Sequence, residues 1–268
     1  MTTEIRLDMT NEEYHSHEAY SRSQIMHLQK SPKSFFYNLT AQPKFTEDFT
    51  LGSLVHTLVL EPTTHKDRYL VVPKFDMRTK NGKLAYEMAL QEANGREIVS
   101  EALHKKAVDM ASSAINDQEA KPFLADLDLV EPSIFFESPF TGIKYRVRPD
   151  AIMGQIGVDL KTAKSIGKND FQSSAIRHGY YLQAGMVYEA MKAVDKPIKK
   201  FVNIAVEKTE PYPVSVFIYD ETSIEYGIDL FYRLDAKLAE HKDSNHDVGG
   251  GLHVLTVPAY ANYQLEDL

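Results

Sequence analysis

Asp150 follows Arg148-Pro149, and nine residues beyond it stands Asp159-Leu160-Lys161. Two carboxylates and an amine at this spacing are the groups that metal-dependent phosphodiester hydrolysis requires. In an extended strand, residues two apart share a face and lie roughly 6.5–7 Å apart. Asp159 is then placed to hold a cation while Lys161 reaches the water beside it, and Leu160 turns the other way, into a core. A carboxylate-x-Lys triplet alone says little, because the chain also holds Glu119-Ala120-Lys121, Asp235-Ala236-Lys237 and Glu240-His241-Lys242. The last two fall where Ile228, Phe231, Leu234 and Leu238 recur at helical spacing, so they read as solvated helix surface. The triplet at 119 abuts Pro122, at an element boundary. Only Asp159 stands in a run with the period-2 alternation of a half-buried strand, Gly157 to Thr162. Taken locally, the same three residues are equally the makings of surface ion pairs worth little.

The elements that must position them are legible around the motif. Ile143-Lys144-Tyr145-Arg146-Val147-Arg148 alternates too, and it follows the turn-rich Ser138-Pro139-Phe140-Thr141-Gly142, a hairpin connection after Ser133-Ile134-Phe135-Phe136. Three strands therefore converge on Asp150 and Asp159. By strand parity Lys144, Arg146, Arg148 and Asp150 share one face, which makes that face basic and suited to phosphate; Lys161, Lys164 and Lys168 add to the local charge. A net charge of −8 runs against a nucleic-acid partner at first sight. What DNA meets is the local field, and a cation site gathers carboxylates by its nature.

With 268 residues and 43% hydrophobic content, the chain can bury a substantial core. Its longest apolar run, Leu54 to Leu60, falls far short of the roughly 20 residues that span a bilayer. No signal-peptide pattern opens the sequence, and there is no cysteine for disulfides or thiolate zinc. The expectation is a cytoplasmic protein with no membrane partner.

Ser21-Arg22-Ser23-Gln24 has the spacing of a capping box, and Ser31-Pro32 starts a further helix. Phe49 to Leu60 reads as a buried helix, although its short apolar run also fits a strand. Residues 74–83 read as an exposed polar loop, and Glu101 to Asp117 as a long helix. After the strand cluster come helices at Asn169–His178 and Tyr180–Val194, strands at Phe201–Glu207 and Val214–Tyr219, and a helix from Thr222 to Glu240. This order predicts one mixed α/β domain over residues 1–245 with a helical N-terminal portion. Residues 246–268, with Gly249-Gly250-Gly251, read as an irregular tail.

Two further side chains complete a possible site. His56 alone is most simply a core histidine, but Gly52 one helical turn earlier leaves room for a ligand beside its ring. Imidazole is a less usual ligand for a magnesium or manganese site built otherwise from oxygen. Gln183, on a helix after the triplet, is either a surface residue or a hydrogen-bond partner for Lys161 or a phosphate. Glu131 and Glu137 are extra acids that a hairpin strand would turn to solvent.

In order, Tyr14-His15-Ser16, Tyr20-Ser21-Arg22-Ser23-Gln24, Leu51-Gly52-Ser53-Leu54-Val55-His56, Thr141-Gly142, Arg146-Val147-Arg148-Pro149-Asp150, Asp159-Leu160-Lys161-Thr162, Tyr180-Tyr181-Leu182-Gln183, Val206-Glu207 and Pro211-Tyr212 resemble the exodeoxyribonuclease VIII (RecE-type) nuclease domain. The likeness runs from about residue 10 to 240 and extends to the wider PD-(D/E)XK group, which includes phage lambda exonuclease. It implies a restriction-endonuclease-like core, a mixed central sheet flanked by helices. It also implies a magnesium-dependent (or manganese-dependent) exonuclease that removes one strand of linear duplex DNA from its 5′ end for a single-strand annealing partner, in a homo-oligomeric ring of three or four subunits. By match to the motifs, Asp150, Asp159 and the main-chain carbonyl of Leu160 would bind metal and His56 would serve a second position, for two ions in all. Lys161 would orient or deprotonate the attacking water, with Gln183 positioning Lys161. Ser23 and Arg22 fall where the group meets a 5′-phosphate, and a serine hydroxyl at a helix start suits an anion; Ser23 read alone is a helix cap. Arg146, Arg148 and Lys164 are the remaining DNA-contact candidates. Tyr188 departs from the pattern, standing five residues after Gln183 where a tyrosine is expected at four. The same triad also serves structure-specific nucleases and endonucleases, and a DNA-end-binding module that kept only the fold is the third reading.

Overall fold

The computed structural model of the protein describes residues 3–41 and 46–243, and the expected tail lies outside them. Strand β1 (Glu4–Arg6), helix α1 (Asn11–Ser16), strand β2 (Tyr20–Ser21) and helices α2 (Arg22–Ile25) and α3 (Pro32–Thr40) form the N-terminal portion. The capping box at Ser21 is present, with the Gln24 side-chain oxygen accepting from the Ser21 N–H at 2.8 Å. Ser31 caps α3 with its own hydroxyl, which accepts from the Ser34 N–H at 3.0 Å. The apolar run around His56 is helical: α4 spans Glu47–Leu60 and buries Leu51, Leu54 and Val55.

Helix α5 (His65–Arg68), strand β3 (Tyr69–Val72), helix α6 (Lys80–Ala93), strand β4 (Glu97–Ser100) and helix α7 (Glu101–Asn116) follow. Strands β3 and β4 pair in parallel through α6. This corrects the expected loop at 74–83, whose last four residues begin α6. Thr79 supplies the cap that local polarity concealed, its hydroxyl accepting from the Gly82 N–H at 3.0 Å.

Strands β5 (Leu129–Val130), β6 (Ser133–Glu137), β7 (Lys144–Val147), β8 (Ala151–Met153) and β9 (Ile156–Ala163) make the cluster around the motif. Helices α8 (Lys168–His178) and α9 (Tyr180–Ala193), strands β10 (Lys200–Glu207) and β11 (Val214–Ile218), and helix α10 (Glu221–His241) complete the fold. The cluster divides between two sheets. One has the order β1-β6-β7-β2, the other β11-β10-β9-β8-β5. Asp150 stands on the short link where the chain leaves the first sheet and enters the second.

Strand β9 is the axis of the second sheet, parallel to β10 and antiparallel to β8. Val158 and Leu160 are fully buried against Leu51, Leu54 and Val55 of α4 and Met110 of α7. Each such side chain contributes about 1.5–3 kcal/mol. The opposite face of β9 looks toward α9, which lies across α10 at a glycine crossing. A Cβ built on Gly185 would come within 2.3 Å of the Gly227 backbone, so neither helix tolerates a side chain there. Gly185→Ala should lower unfolding free energy by about 1–3 kcal/mol through overpacking, although alanine is the better helix former; urea denaturation measures the outcome.

Candidate active site

The β8–β9 hairpin sets the two aspartates opposite each other. Its register pairs Ala151 with Val158, Ile152 with Gly157 and Met153 with Ile156, so the next rung would bring Asp150 across from Asp159. The ladder stops before that rung. The Asp150 carboxylate instead accepts from the Leu160 N–H at 2.6 Å. At the two ends of β9 the carbonyls of Gln155 and Ala163 accept from the backbone N–H groups of Lys200 and Lys208 on the β10 side. Alternation then turns the Leu160 carbonyl, with its N–H, to the other edge, beside Asp150. That edge has no strand partner beyond Val158.

Asp159 is fully buried. Its Oδ1 accepts from the Gln183 side-chain amide at 2.6 Å and its Oδ2 from Asn203 Nδ2 at 2.7 Å. Lys161, on the same face as expected, pairs with Oδ2, and its ammonium lies 5.2 Å from the Tyr180 ring centre. Burial works against the charge on Lys161, but the Asp159 and Asp150 carboxylates outweigh it and hold the ammonium above the usual lysine range. Gln183 thus acts on Asp159, where the sequence reading had it positioning Lys161. Its own Oε1 is buried without a hydrogen-bond partner.

His56 reaches the site from α4, with Nδ1 3.5 Å from Asp150 Oδ2. Gly52, one turn before it, faces the Thr162 hydroxyl of β9, which lies 3.6 Å from where a Cβ would be. Asp150 is pushed up to about 6, first by burial and then by the Asp159 charge, against the pull of His56 and Lys161. The two carboxylates therefore differ in surroundings. One is half-open beside an imidazole, the other closed and hydrogen-bonded from three sides.

Among the described residues, no group of three or more His, Cys, Asp or Glu side chains is gathered as a metal cluster. The donor set of Asp150, the Leu160 carbonyl and His56 does fit a divalent cation on the open edge of β9. Asp159 can join it only by sharing a carboxylate already engaged by Lys161, Gln183 and Asn203.

The basic face expected beside Asp150 is largely turned inward. Arg146 is 2% exposed and donates to the carbonyls of His17 and His15 at 2.6 and 3.2 Å, with its guanidinium over the Tyr14 ring. Arg148 donates to the Ser133 hydroxyl and the Met9 carbonyl and lies 4.2 Å from the same ring. These arginines clasp the N-terminal segment, Arg146 buried and Arg148 half-buried. Strand parity was right for β7, but it could not show that α1 covers this face. Lys164 is exposed beyond β9, and Ser23 is exposed on α2 with Ser21 as the cap. Arg22 donates to the His178 carbonyl; burial pulls it below the usual arginine range and the Asp159 charge opposes this, which puts it within reach of the site. Glu131 is off the strands, with φ of 45° between β5 and β6, and its N–H donates to the Asp150 carbonyl at 2.9 Å. Tyr188 packs against the core. Asn203 and Tyr219 went unread in the sequence, although a lone asparagine inside Phe201-Val202-Asn203-Ile204-Ala205-Val206 was the available signal.

Raising Asp150 has a stability consequence in metal-free buffer. An acid whose folded value lies above its unfolded value favours the fold below the unfolded value, and that contribution is lost as pH rises through the folded one. Asp150→Asn, which keeps an acceptor for Leu160 N–H, should therefore be more stable than the parent by about 2–3 kcal/mol at pH 8. The gain should shrink between pH 6 and pH 4; thermal melts in EDTA across that range check it.

The model for the "PDDEXK-like domain of unknown function (DUF3799)" matches residues 21–247. Among solved structures the chain is similar to a "Putative exonuclease" from Eubacterium rectale, at 13% identity and a TM-score of 0.63, covering 98% of this chain and 100% of that one. At that identity the likeness is one of fold. Comparison with curated proteins gave no match. No helix among the described residues is long and apolar enough to cross a membrane. The mixed sheet flanked by helices, the match over 21–247 and the shared fold agree on a PD-(D/E)XK core, and the chain belongs to the PDDEXK-like DUF3799 family.

Proposed function

We propose that the protein is a metal-dependent 5′→3′ exonuclease that degrades one strand of linear double-stranded DNA and leaves 3′ overhangs for strand-annealing recombination. One observation carries this reading: Asp159 and Lys161 pair on one face of β9, Asp150 caps its open edge, and His56 and Gln183 stand against the carboxylates. A fold scaffold alone has no need to bury Asp159 beside a second acid. Asp150, the Leu160 carbonyl and His56 would hold magnesium or manganese, with Asp159 completing the set for two ions. Bound there, such ions would supply charge stabilisation for an in-line displacement at phosphorus. Lys161, held as a cation between two carboxylates, suits orienting the attacking water better than deprotonating it. Arg22, Ser23 and Lys164 would be the side chains that meet the phosphate. The resemblance extends the proposal to a 5′-phosphorylated duplex end, a single-strand annealing protein as partner, and a ring of three or four subunits that gathers what basic surface each carries.

Incubation with magnesium on linear 5′-phosphorylated, linear 5′-hydroxyl and closed circular duplexes, with EDTA as control, tests it. Loss of linear DNA alone, faster with the phosphate, is the expected result. Cutting of the circle would replace the exonuclease with an endonuclease, and no cutting of any substrate would leave a DNA-end-binding module. Lys161→Ala should lower the initial rate by about 100-fold or more, with circular dichroism confirming that the variant is folded.

A further inference from the structure

Asp159 is held from behind by a relay that the proposed chemistry does not use. Asn203 lies on β10 directly beside it in the parallel register and is itself fully buried. Its amide is directional: Nδ2 donates to Asp159 Oδ2 at 2.7 Å, and Oδ1 accepts from the Tyr219 hydroxyl at 2.6 Å. An asparagine can flip, and a flipped Asn203 would aim its carbonyl at the carboxylate. The acceptor-only carboxylate disfavours that orientation, and in the one that remains the Tyr219 hydroxyl donates to Oδ1 and holds the amide in place. Tyr219 is in turn fixed by edge-on packing against Tyr181, with ring centres 5.2 Å apart, and Phe201, at 5.7 Å.

We propose that Asn203 and Tyr219 are positioning residues for Asp159: they lock its Oδ2, while Gln183 holds Oδ1, so that the carboxylate plane is set before a metal arrives. The inference rests on reading Asp159 as a metal ligand. Outer partners of this kind orient ligating carboxylates, and their loss costs about 10–100-fold in metal affinity. A merely structural Asn–Tyr pair would affect folding and leave metal affinity alone. Tyr219 touches neither Asp150 nor Lys161, so Tyr219→Phe removes one hydroxyl and keeps the ring packing.

Manganese binding, measured by electron paramagnetic resonance on the full chain without DNA, reads the effect directly, alongside thermal melts. Tyr219→Phe and Asn203→Leu should each weaken manganese about tenfold or more, with Tyr219→Phe melting within a few degrees of the parent. In cleavage assays Tyr219→Phe should need proportionally more metal for half-maximal rate and recover most of its rate at saturation. If Tyr219→Phe binds manganese like the parent while Asp159→Asn has lost it, the relay is overturned and the nuclease reading stands. If the parent binds manganese and Tyr219→Phe weakens it, yet no DNA is cut, the relay stands and the nuclease reading fails. Absence of manganese binding by the parent would overturn both.

Discussion

The burial of Asp159 is the constraint on which the site depends. An ionised carboxylate removed from water is costly unless protein donors replace its hydration. Here those donors come from three elements: Lys161 on the same strand, Asn203 on the neighbouring strand, and Gln183 on the helix above. None of them is useful unless its element sits within hydrogen-bond reach. The parallel β9–β10 register sets Asn203, and the glycine crossing of α9 over α10 lets α9 lie close enough to present Gln183. The hydrophobic layer of Val158 and Leu160 against α4 holds the other face of the same strand, so core packing and site geometry are fixed by alternate residues of one segment.

The two acids illustrate how position divides labour. Asp150, beside His56, is pushed up to about 6, first by burial, whereas Asp159 is enclosed by the hydrogen-bond donors of Gln183 and Asn203. Paired carboxylates in unlike surroundings are a recurrent feature of sites that bind cations or move protons. The unpartnered Oε1 of Gln183 lies beside them, an acceptor with its hydrogen-bonding capacity unspent.

Much of this was readable in the residues, for identifiable reasons. Period-2 alternation found β9 and β7, and the Ser21 and Ser31 caps marked their helices, because these signals are local. The β3–α6–β4 unit escaped because Lys80 to Ala93 is polar and its cap, Thr79, sits in an otherwise loop-like run. Arg146 and Arg148 looked like a phosphate-binding face because parity reports which side a residue takes and is silent about what covers that side. Their partners, Tyr14 and the carbonyls of Met9, His15 and His17, lie far away in sequence, from 129 residues for Arg146–His17 to 139 for Arg148–Met9. Gln183 was found, yet its partner was mistaken, since a helix position does not reveal which of two neighbouring side chains it meets.

The nine-residue interval between the aspartates has a mechanical origin. Three residues of β8, a two-residue turn at Gly154-Gln155 and the return along β9 bring the chain back to its starting level, and Gly154, at φ of 55°, permits the reversal. The hairpin is thus a ruler that measures out the distance between two acids. Asp150 stands one step past its last paired rung and takes over, with a side chain, the hydrogen bond that a longer β8 would have made with its backbone. It terminates a strand edge much as a serine or aspartate terminates a helix. The length of an exposed turn far from the chemistry is therefore a dimension of the site, and one residue more or less in it would move the acids out of step.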